Sequence, residues 1–322
     1  MAQIVIVSPS RRGATTGNAV TAERWRKILR SLGHRVSVVS SLGNERLDLL
    51  IALHATKSAA SVERARSRAG ARIVVALTGT DLYQDLGRLR VPWRSLELAD
   101  RIVVLQPLAL RELPPALRRR AVVIRQSVHV SSRRTRSQGT SRKGRTFDVV
   151  VLSNLRGVKD PLRAAYAARH LPRESRVRVI HAGGALEPHW EERAAEEMNR
   201  NPRYIWKGEL TADRARRLLK GADLLVQSSR SEGGANVLSE AIVAGVPVLA
   251  SDIPGNVGIL GRSYAGFFKV GDSRGLARLM YRAETDDEFY ARLCRRTDQL
   301  SGLFEPEKER KAWKELLERC LP

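Results

Sequence analysis

Apolar runs of three to seven residues recur along the whole chain, separated by stretches in which apolar positions return every three or four residues. The runs at 3–7, 36–39, 47–53, 73–77, 102–105 and 122–124, and then at 147–152, 177–180, 203–206, 223–227 and 246–250, are too short for independent helices and read as buried strands. Trp25, Ile28, Leu29 and Leu32 form a helical stripe that Gly33 ends, and Ala215, Leu218, Leu219 and Ala222 form another behind a Thr211 cap. Such alternation, repeated in both halves, predicts an α/β protein with two parallel sheets. Ligands of such sheets sit at the carboxyl ends of the strands, so the polar residues that follow each run are the candidates for chemistry.

The richest of these follows the run at 223–227. Residues 228–255 read SSRSEGGANVLSEAIVAGVPVLASDIPG, with Glu232 and Glu240 separated by seven residues. Gly233 and Gly234 supply a turn with amides free to face a ligand, and Asn236 can cap a helix whose buried stripe is Val237, Leu238, Ala241 and Ile242. Gly245 ends that helix and Pro247 prevents its continuation. A helix start favours anions, and Glu240, about one turn inside, can accept two hydrogen bonds from a ribose diol. After the run at 147–152 come Arg156 and Lys159; after 177–180, His181 to Gly184; after 203–206, Lys207 and Gly208. Taken singly, each has a plain structural reading: a Rossmann crossover turn, or two solvated cations. Their order along the chain makes them a set.

Glu232 and Glu240 resemble the E-x7-E signature of the family 4 glycosyltransferases, and Arg156 with Lys159 resembles that family's R-x-x-K element. The resemblance covers most of the chain. It implies the GT-B fold, α/β with two Rossmann-like domains facing each other across a central cleft, and a UDP-sugar donor. On that resemblance Arg156 and Lys159 stabilise the departing diphosphate, and Glu232 with Gly233 and Gly234 faces the sugar. Asn236 and Val237 lie by the phosphates, Glu240 holds the ribose, and Trp206, Lys207 and Gly208 lie near the uracil. It also implies no metal and no cofactor beyond the donor.

The first half carries different turn chemistry. A long loop at 8–18 contains Arg11, Arg12, Gly17 and Asn18, and the later strands end in His54 and Lys57, in Thr78 to Asp81, in Gln106, and in Gln126 with Ser127. A hydroxyl acceptor needs a general base, for which His54 and Asp81 are the candidates by position, each equally readable as a structural hydrogen-bonder. Arg11, Arg12 and Lys57 make the pocket electropositive, which suits an anionic nucleophile.

Here the sequence also resembles the selenosugar synthases of selenoneine biosynthesis. The resemblance rests on Ile4-Val5-Ile6-Val7-Ser8-Pro9, Gly17-Asn18 with Thr21-Ala22 and Arg24-Trp25, and Leu53-His54-Ala55 with Lys57-Ser58. It extends to Leu77-Thr78-Gly79-Thr80-Asp81-Leu82-Tyr83, Val103-Val104-Leu105-Gln106 and Val123-Ile124-Arg125-Gln126-Ser127-Val128. It implies that selenophosphate attacks the anomeric carbon of UDP-N-acetylglucosamine or UDP-glucose, with Arg11, Gly17, Asn18, His54, Lys57, Thr80 and Asp81 on the acceptor side. A family 4 enzyme with a hydroxyl acceptor keeps every donor motif and is the main rival.

At 322 residues and 43% hydrophobic composition the chain can bury two cores. The expected division is an acceptor domain at 1–130, a Ser- and Arg-rich linker at 131–146 and a donor domain at 147–305, with a terminal helix at 306–322 packing back on the first domain, the last on family grounds. No apolar run approaches the roughly 18 residues of a membrane span, and the amino terminus lacks a basic stretch with a cleavage site, so the expected location is cytoplasmic. Cys294 and Cys320 are isolated and read as structural thiols, and no aspartate cluster calls for a metal. A net charge of +23 raises nucleic-acid binding as a competing class. Against it, the 47 arginines and 10 lysines are scattered and aromatic content is only 5%, with no stacking platform, so no specific nucleic-acid partner is expected.

Overall fold

The computed structural model describes residues 1–10, 16–129 and 145–321; Arg11, Arg12 and residues 131–144 of the expected linker lie outside them. In chain order the elements are β1 (Gln3–Val7), α1 (Gly17–Ser31), β2 (Arg35–Val39), β3 (Leu49–Leu53), α2 (Ala59–Arg66), β4 (Arg72–Leu77), α3 (Val91–Leu98), β5 (Arg101–Val104), α4 (Pro115–Arg118) and β6 (Ala121–Val123). Then follow β7 (Phe147–Leu152), α5 (Arg163–Ala168), β8 (Val177–Ala182), α6 (Pro188–Arg200), β9 (Tyr204–Trp206), α7 (Ala212–Gly221), β10 (Leu224–Gln227), α8 (Asn236–Ala244), β11 (Val248–Ser251), α9 (Pro254–Leu260), β12 (Phe267–Phe268), α10 (Ser273–Thr285), α11 (Asp287–Ser301) and α12 (Pro306–Cys320).

These form two compact units, one of Met1–Ser127 with Ser231–Asn236 and Leu303–Pro322, the other of Val128–Arg230 with Val237–Gly302. The first is built on a parallel sheet in the order β2-β1-β3-β4-β5-β6, and the second on a parallel sheet in the order β12-β11-β10-β7-β8-β9. The continuous apolar runs follow from burial on both faces of each sheet. In β1, Val5 and Val7 enter one core with Leu50, Ile73 and Leu96, while Ile4 and Ile6 enter the opposite core with Trp25, Leu29 and Trp313.

Strand bounds read from the apolar runs shift by a residue or two where a polar group has another use. Asp223 stays outside β10 because its carboxylate accepts from Asp148 N (3.0 Å) and pairs with Arg145. Pro247 lacks an N–H and holds the start of β11 back to Val248. The two-residue β12 and the helices α3, α4, α5, α6, α9 and α10 went unannounced, the strand because it is too short for a periodic signal.

Many arginines serve the backbone. Arg203 donates to Pro172 O (3.0 Å) and Val177 O (3.2 Å), and Arg120 to Leu96 O (3.3 Å) and Glu97 O (3.2 Å). A planar fork of five donors can tie several chain ends at once, which an ammonium cannot do with the same geometry. Among the described residues no helix is long and apolar enough to cross a membrane.

Within the first unit α12 lies on α1. Trp313 meets Trp25 edge-on at 4.7 Å and 67°. One turn before Trp313, Glu309 is 2% exposed and accepts from Trp25 Nε1 (2.8 Å), Ser127 N (2.8 Å) and Ser127 Oγ (2.5 Å), and it pairs with Arg24 Nε (3.2 Å). A buried carboxylate is tolerated because both oxygens are saturated by donors, one of them cationic. Removing it takes the carboxylate partner from the half-buried Arg24 guanidinium and strands an indole N–H and a backbone N–H. Glu309→Ala should therefore destabilise the fold by about 3–5 kcal/mol, read as a lower urea midpoint. A loss under 1 kcal/mol would show that Glu309 is not structural.

Candidate functional site

In the second unit, chain order reverses between β7 and β10, the point at which the loops at the carboxyl end of an open parallel sheet diverge. The loop after β7 carries Arg156 at the entry to a 3-10 turn, Gly157–Lys159. Asp160, left-handed at φ 46°, closes that turn and is held by Arg163 (2.9 Å) and Arg230 (3.6 Å). The loop after β10 is tied to it: Ser228 Oγ donates to Lys159 O (3.2 Å) and Asp160 O (3.0 Å), and Arg230 N donates to Val158 O (2.8 Å). Arg156 and Lys159, both half-buried, thus sit on a turn fixed through its backbone at the reversal point.

The turns after β8 and β9 join the same edge. A Cβ on Gly183 would lie 1.9 Å from Ser153 O, so only glycine permits this approach to the β7 loop. Gly183 N donates to Gly208 O (2.8 Å) and Trp206 Nε1 donates to Gly183 O (2.9 Å). The structure therefore gathers Arg156, Lys159, Trp206 and Gly208 on adjoining turns, with Trp206 half-buried and Lys207 exposed. Behind them His181 is fully buried. Its Nε2 donates to Ser153 O (2.9 Å) and its Nδ1 accepts from Tyr204 OH (3.0 Å), which fixes one neutral tautomer. Burial pushes its pKa down to about 4. On α8, Leu238, Ala241 and Ile242 form the buried stripe, while Val237 and Glu240 are half-buried on the helix's first turns.

The first unit holds Ser231–Asn236 and the acceptor-side residues. Glu232 is buried. A Cβ on Gly233 would lie 2.5 Å from Thr78 C and 2.7 Å from Gly79 N, and one on Gly234 would lie 2.6 Å from Leu105 Cβ. Close packing on the β4 and β5 turns, which the sequence did not announce, is what demands this glycine pair. The expected helix cap at Asn236 is corrected: Asn236 is the first residue of α8, and its Oδ1 accepts from Arg24 Nη1 (3.2 Å). Gln126, with its amide oriented to satisfy its neighbours, donates to Asn236 Oδ1 (3.0 Å) and Gly234 O (2.9 Å). A guanidinium is a stronger donor than a backbone amide, and it takes the oxygen a cap would use.

Asp81 is fully buried, and its carboxylate accepts from the backbone N–H groups of Ala55 (3.0 Å), Thr78 (3.0 Å), Gly79 (2.8 Å) and Leu82 (3.1 Å). It shapes two turns and has no face toward solvent. His54 is left-handed at φ 72°; its Nδ1 accepts from Lys57 N (3.3 Å), which leaves Nε2 to donate to Thr80 Oγ1 (2.9 Å). Burial holds its imidazole below the usual histidine range, against the pull of Asp81. Thr80 is half-buried and Lys57 exposed in the turn before α2. Gly17 opens α1, where Thr16 Oγ1 caps by accepting from Ala19 N (3.4 Å), and Asn18 follows half-buried. Sequence reasoning missed Glu309 and gave Arg24 no role of its own. The available signal was a glutamate on the same helical face as Trp313, Leu316, Leu317 and Cys320, where only a paired carboxylate can sit.

Gly233→Ala should push the turn off Thr78 and destabilise the protein by about 1–3 kcal/mol, read in urea unfolding; an unchanged midpoint would mean that the turn yields freely. His181 has a folded pKa below its ordinary 6.5, so its contribution is intact above pH 6.5 and is lost as pH falls toward 4. The loss amounts to about 3 kcal/mol. His181→Gln should flatten that stretch of the stability–pH curve, and an equally steep curve would assign the slope to other groups.

Solved structures of other proteins share this architecture. Over 99% of this chain and 99% of the other, the fold superposes on the sucrose-phosphate synthase of Thermosynechococcus elongatus with a TM-score of 0.79 at 16% identity. HepE of Anabaena, solved in complex with UDP and glucose, gives 0.77 at 16% identity over 99% of this chain and 100% of its own. A glycosyltransferase of Rickettsia africae gives 0.69 at 13% identity over 99% and 98%. The two six-stranded Rossmann-like units are thus the GT-B fold. Residues 132–299, just over half of the chain and including the Arg156–Lys159 turn and both glutamates, match the glycosyl transferases group 1, and the chain belongs to that family.

Proposed function

We propose that this glycosyltransferase uses a UDP-sugar donor, UDP-N-acetylglucosamine or UDP-glucose, and delivers the sugar to selenophosphate. The observation that carries the acceptor half is the engagement of both candidate bases. Asp81 is spent on four backbone amides, and both ring nitrogens of His54 are in use. A hydroxyl nucleophile needs a base to take its proton, whereas a selenium nucleophile already carries its charge and needs only positioning. The donor half is supported by Arg156 and Lys159 on a braced turn at the strand reversal, and by the UDP-bound relative of the same fold.

In this reading the selenium lone pair forms the bond to the anomeric carbon as the bond to the β-phosphate oxygen breaks, and that oxygen leaves with the electron pair. Arg156 and Lys159 stabilise the growing charge on the diphosphate. Water then cleaves the Se–P bond, giving phosphate and a 1-selenosugar. Glu240 accepts from the ribose hydroxyls, Glu232 with Gly233 and Gly234 faces the donor sugar, and Trp206, Lys207 and Gly208 flank the base, with Asn236 and the Val237 amide at the phosphates. Gly17, Asn18, Lys57 and Thr80, with His54 as an orienting donor, line the acceptor side in this reading; Arg11 lies outside the described residues. The reading needs no metal.

The test is incubation with UDP-N-acetylglucosamine, or with UDP-glucose, with and without selenophosphate generated in place, following UDP release and product mass. Selenophosphate-dependent UDP release with a selenium isotope pattern in the product is expected; UDP release with hydroxyl acceptors alone would assign the rival activity. Lys159→Ala should lower turnover by roughly 10²-fold with the urea midpoint unchanged, and near-normal turnover would remove it from the diphosphate.

A further inference from the structure

The shielded cations of this chain generally have carboxylate partners. Arg24 pairs with Glu309, Arg163 with Asp160, Arg176 with Glu284 and Arg178 with Asp148. Arg125 differs. It is half-buried, and among the described residues its side chain makes no ion pair, no hydrogen bond and no ring contact. Burial alone acts on it, drawing its guanidinium below the ordinary arginine range with no carboxylate to oppose the shift, though it stays charged near neutral pH. A shielded cation without a counter-ion is unfavourable in the empty protein, and an oxyanion is the natural ligand to relieve it.

Its place in the fold gives that ligand a location. Val104 stands opposite Val123, and Ile124 N donates to Val104 O (2.9 Å), so the register carries Arg125 to a position beside Gln106 at the carboxyl end of the sheet. Gln106 is committed elsewhere: its Oε1 accepts from Leu108 N (2.7 Å) and its Nε2 donates to Tyr83 OH (2.6 Å). On the other side, Gln126 reaches Gly234 O (2.9 Å), and Gly234 packs on Leu105. Arg125 therefore lies at the carboxyl end of the sheet, between Ile124 and Gln126, in the same unit as the Thr78–Asp81 turn and His54.

We propose that Arg125 binds a phosphoryl oxyanion of the acceptor substrate. This deepens the acceptor reading given above and rests on it. The planar fork can take two oxygens of a tetrahedral anion, which fixes the orientation of the nucleophilic atom on the same centre. It also separates a phosphorylated chalcogen acceptor from a neutral sugar hydroxyl, which would leave the cation unpaired.

The experiment uses the full chain, with inorganic phosphate and thiophosphate as probes at constant ionic strength, titrated by calorimetry with and without saturating UDP. Arg125→Gln should weaken phosphate binding about tenfold or more while UDP affinity stays within about twofold. It should also raise Tm in the absence of phosphate, because it deletes a shielded unpaired charge, and lose most of the Tm rise that phosphate gives the wild-type protein. Arg125→Lys keeps the charge without the fork and should retain part of the affinity; it serves as the reporter if the glutamine variant does not fold. Phosphate affinity unchanged in the variant would overturn the proposal, as would a proportional loss of phosphate and UDP affinity. The UDP titration of the wild-type protein is a separate arm: no UDP binding beside Arg125-dependent phosphate binding would remove the donor reading and leave this oxyanion site standing.

Discussion

The first unit depends on one buried carboxylate. Glu309 lies near the start of the last helix, yet its donors come from α1 and from the residues that follow β6, far away in sequence. Without it α12 would offer α1 only an apolar face. With it, the helix is fixed in rotation and depth, because both carboxylate oxygens have defined partners. Arg24 passes this constraint on, since the guanidinium that pairs with Glu309 also donates to Asn236. The position of the turn holding Glu232 to Gly234 is thereby linked to the register of the terminal helix.

The same economy governs the other polar residues near the strand ends. Asp81 organises two turns by accepting from four amides, His181 braces the β7 loop against β9, and His54 orients Thr80. Each looks, by residue type, like a group for proton transfer. Each is instead consumed in holding backbone in place, as buried polar groups must be when no water can satisfy them. The cations near the same strand ends are Arg156 and Lys159 on their braced turn, Lys57 exposed before α2, and Arg125 half-buried just past β6. That distribution suits charge stabilisation and the holding of anions better than the abstraction of a proton.

Strand positions were legible along the chain because a parallel sheet covered on both faces demands unbroken apolar runs, and a run of that length bounded by turn residues suits little but a buried strand. The E-x7-E and R-x-x-K spacings were legible for a similar reason: turn chemistry and helix starts are local, so short strings carry them. The order of the strands was not. Neighbours in a sheet are set by which crossovers pack, and the reversal between β7 and β10, beside which Arg156 and Lys159 stand, has no signature in either run. Nor could the sequence say why positions 233 and 234 are glycine, since the atoms that forbid a Cβ there belong to Thr78, Gly79 and Leu105. It offered Asp81 and His54 as candidate bases because it shows residue types without their partners. Sequence by itself determined the longer strands, several of the helices and the order of the motifs, all of which rest on short-range patterns. Tertiary structure alone decided which charged groups are already satisfied and which, like Arg125, are not, because satisfaction depends on atoms brought close from distant parts of the chain.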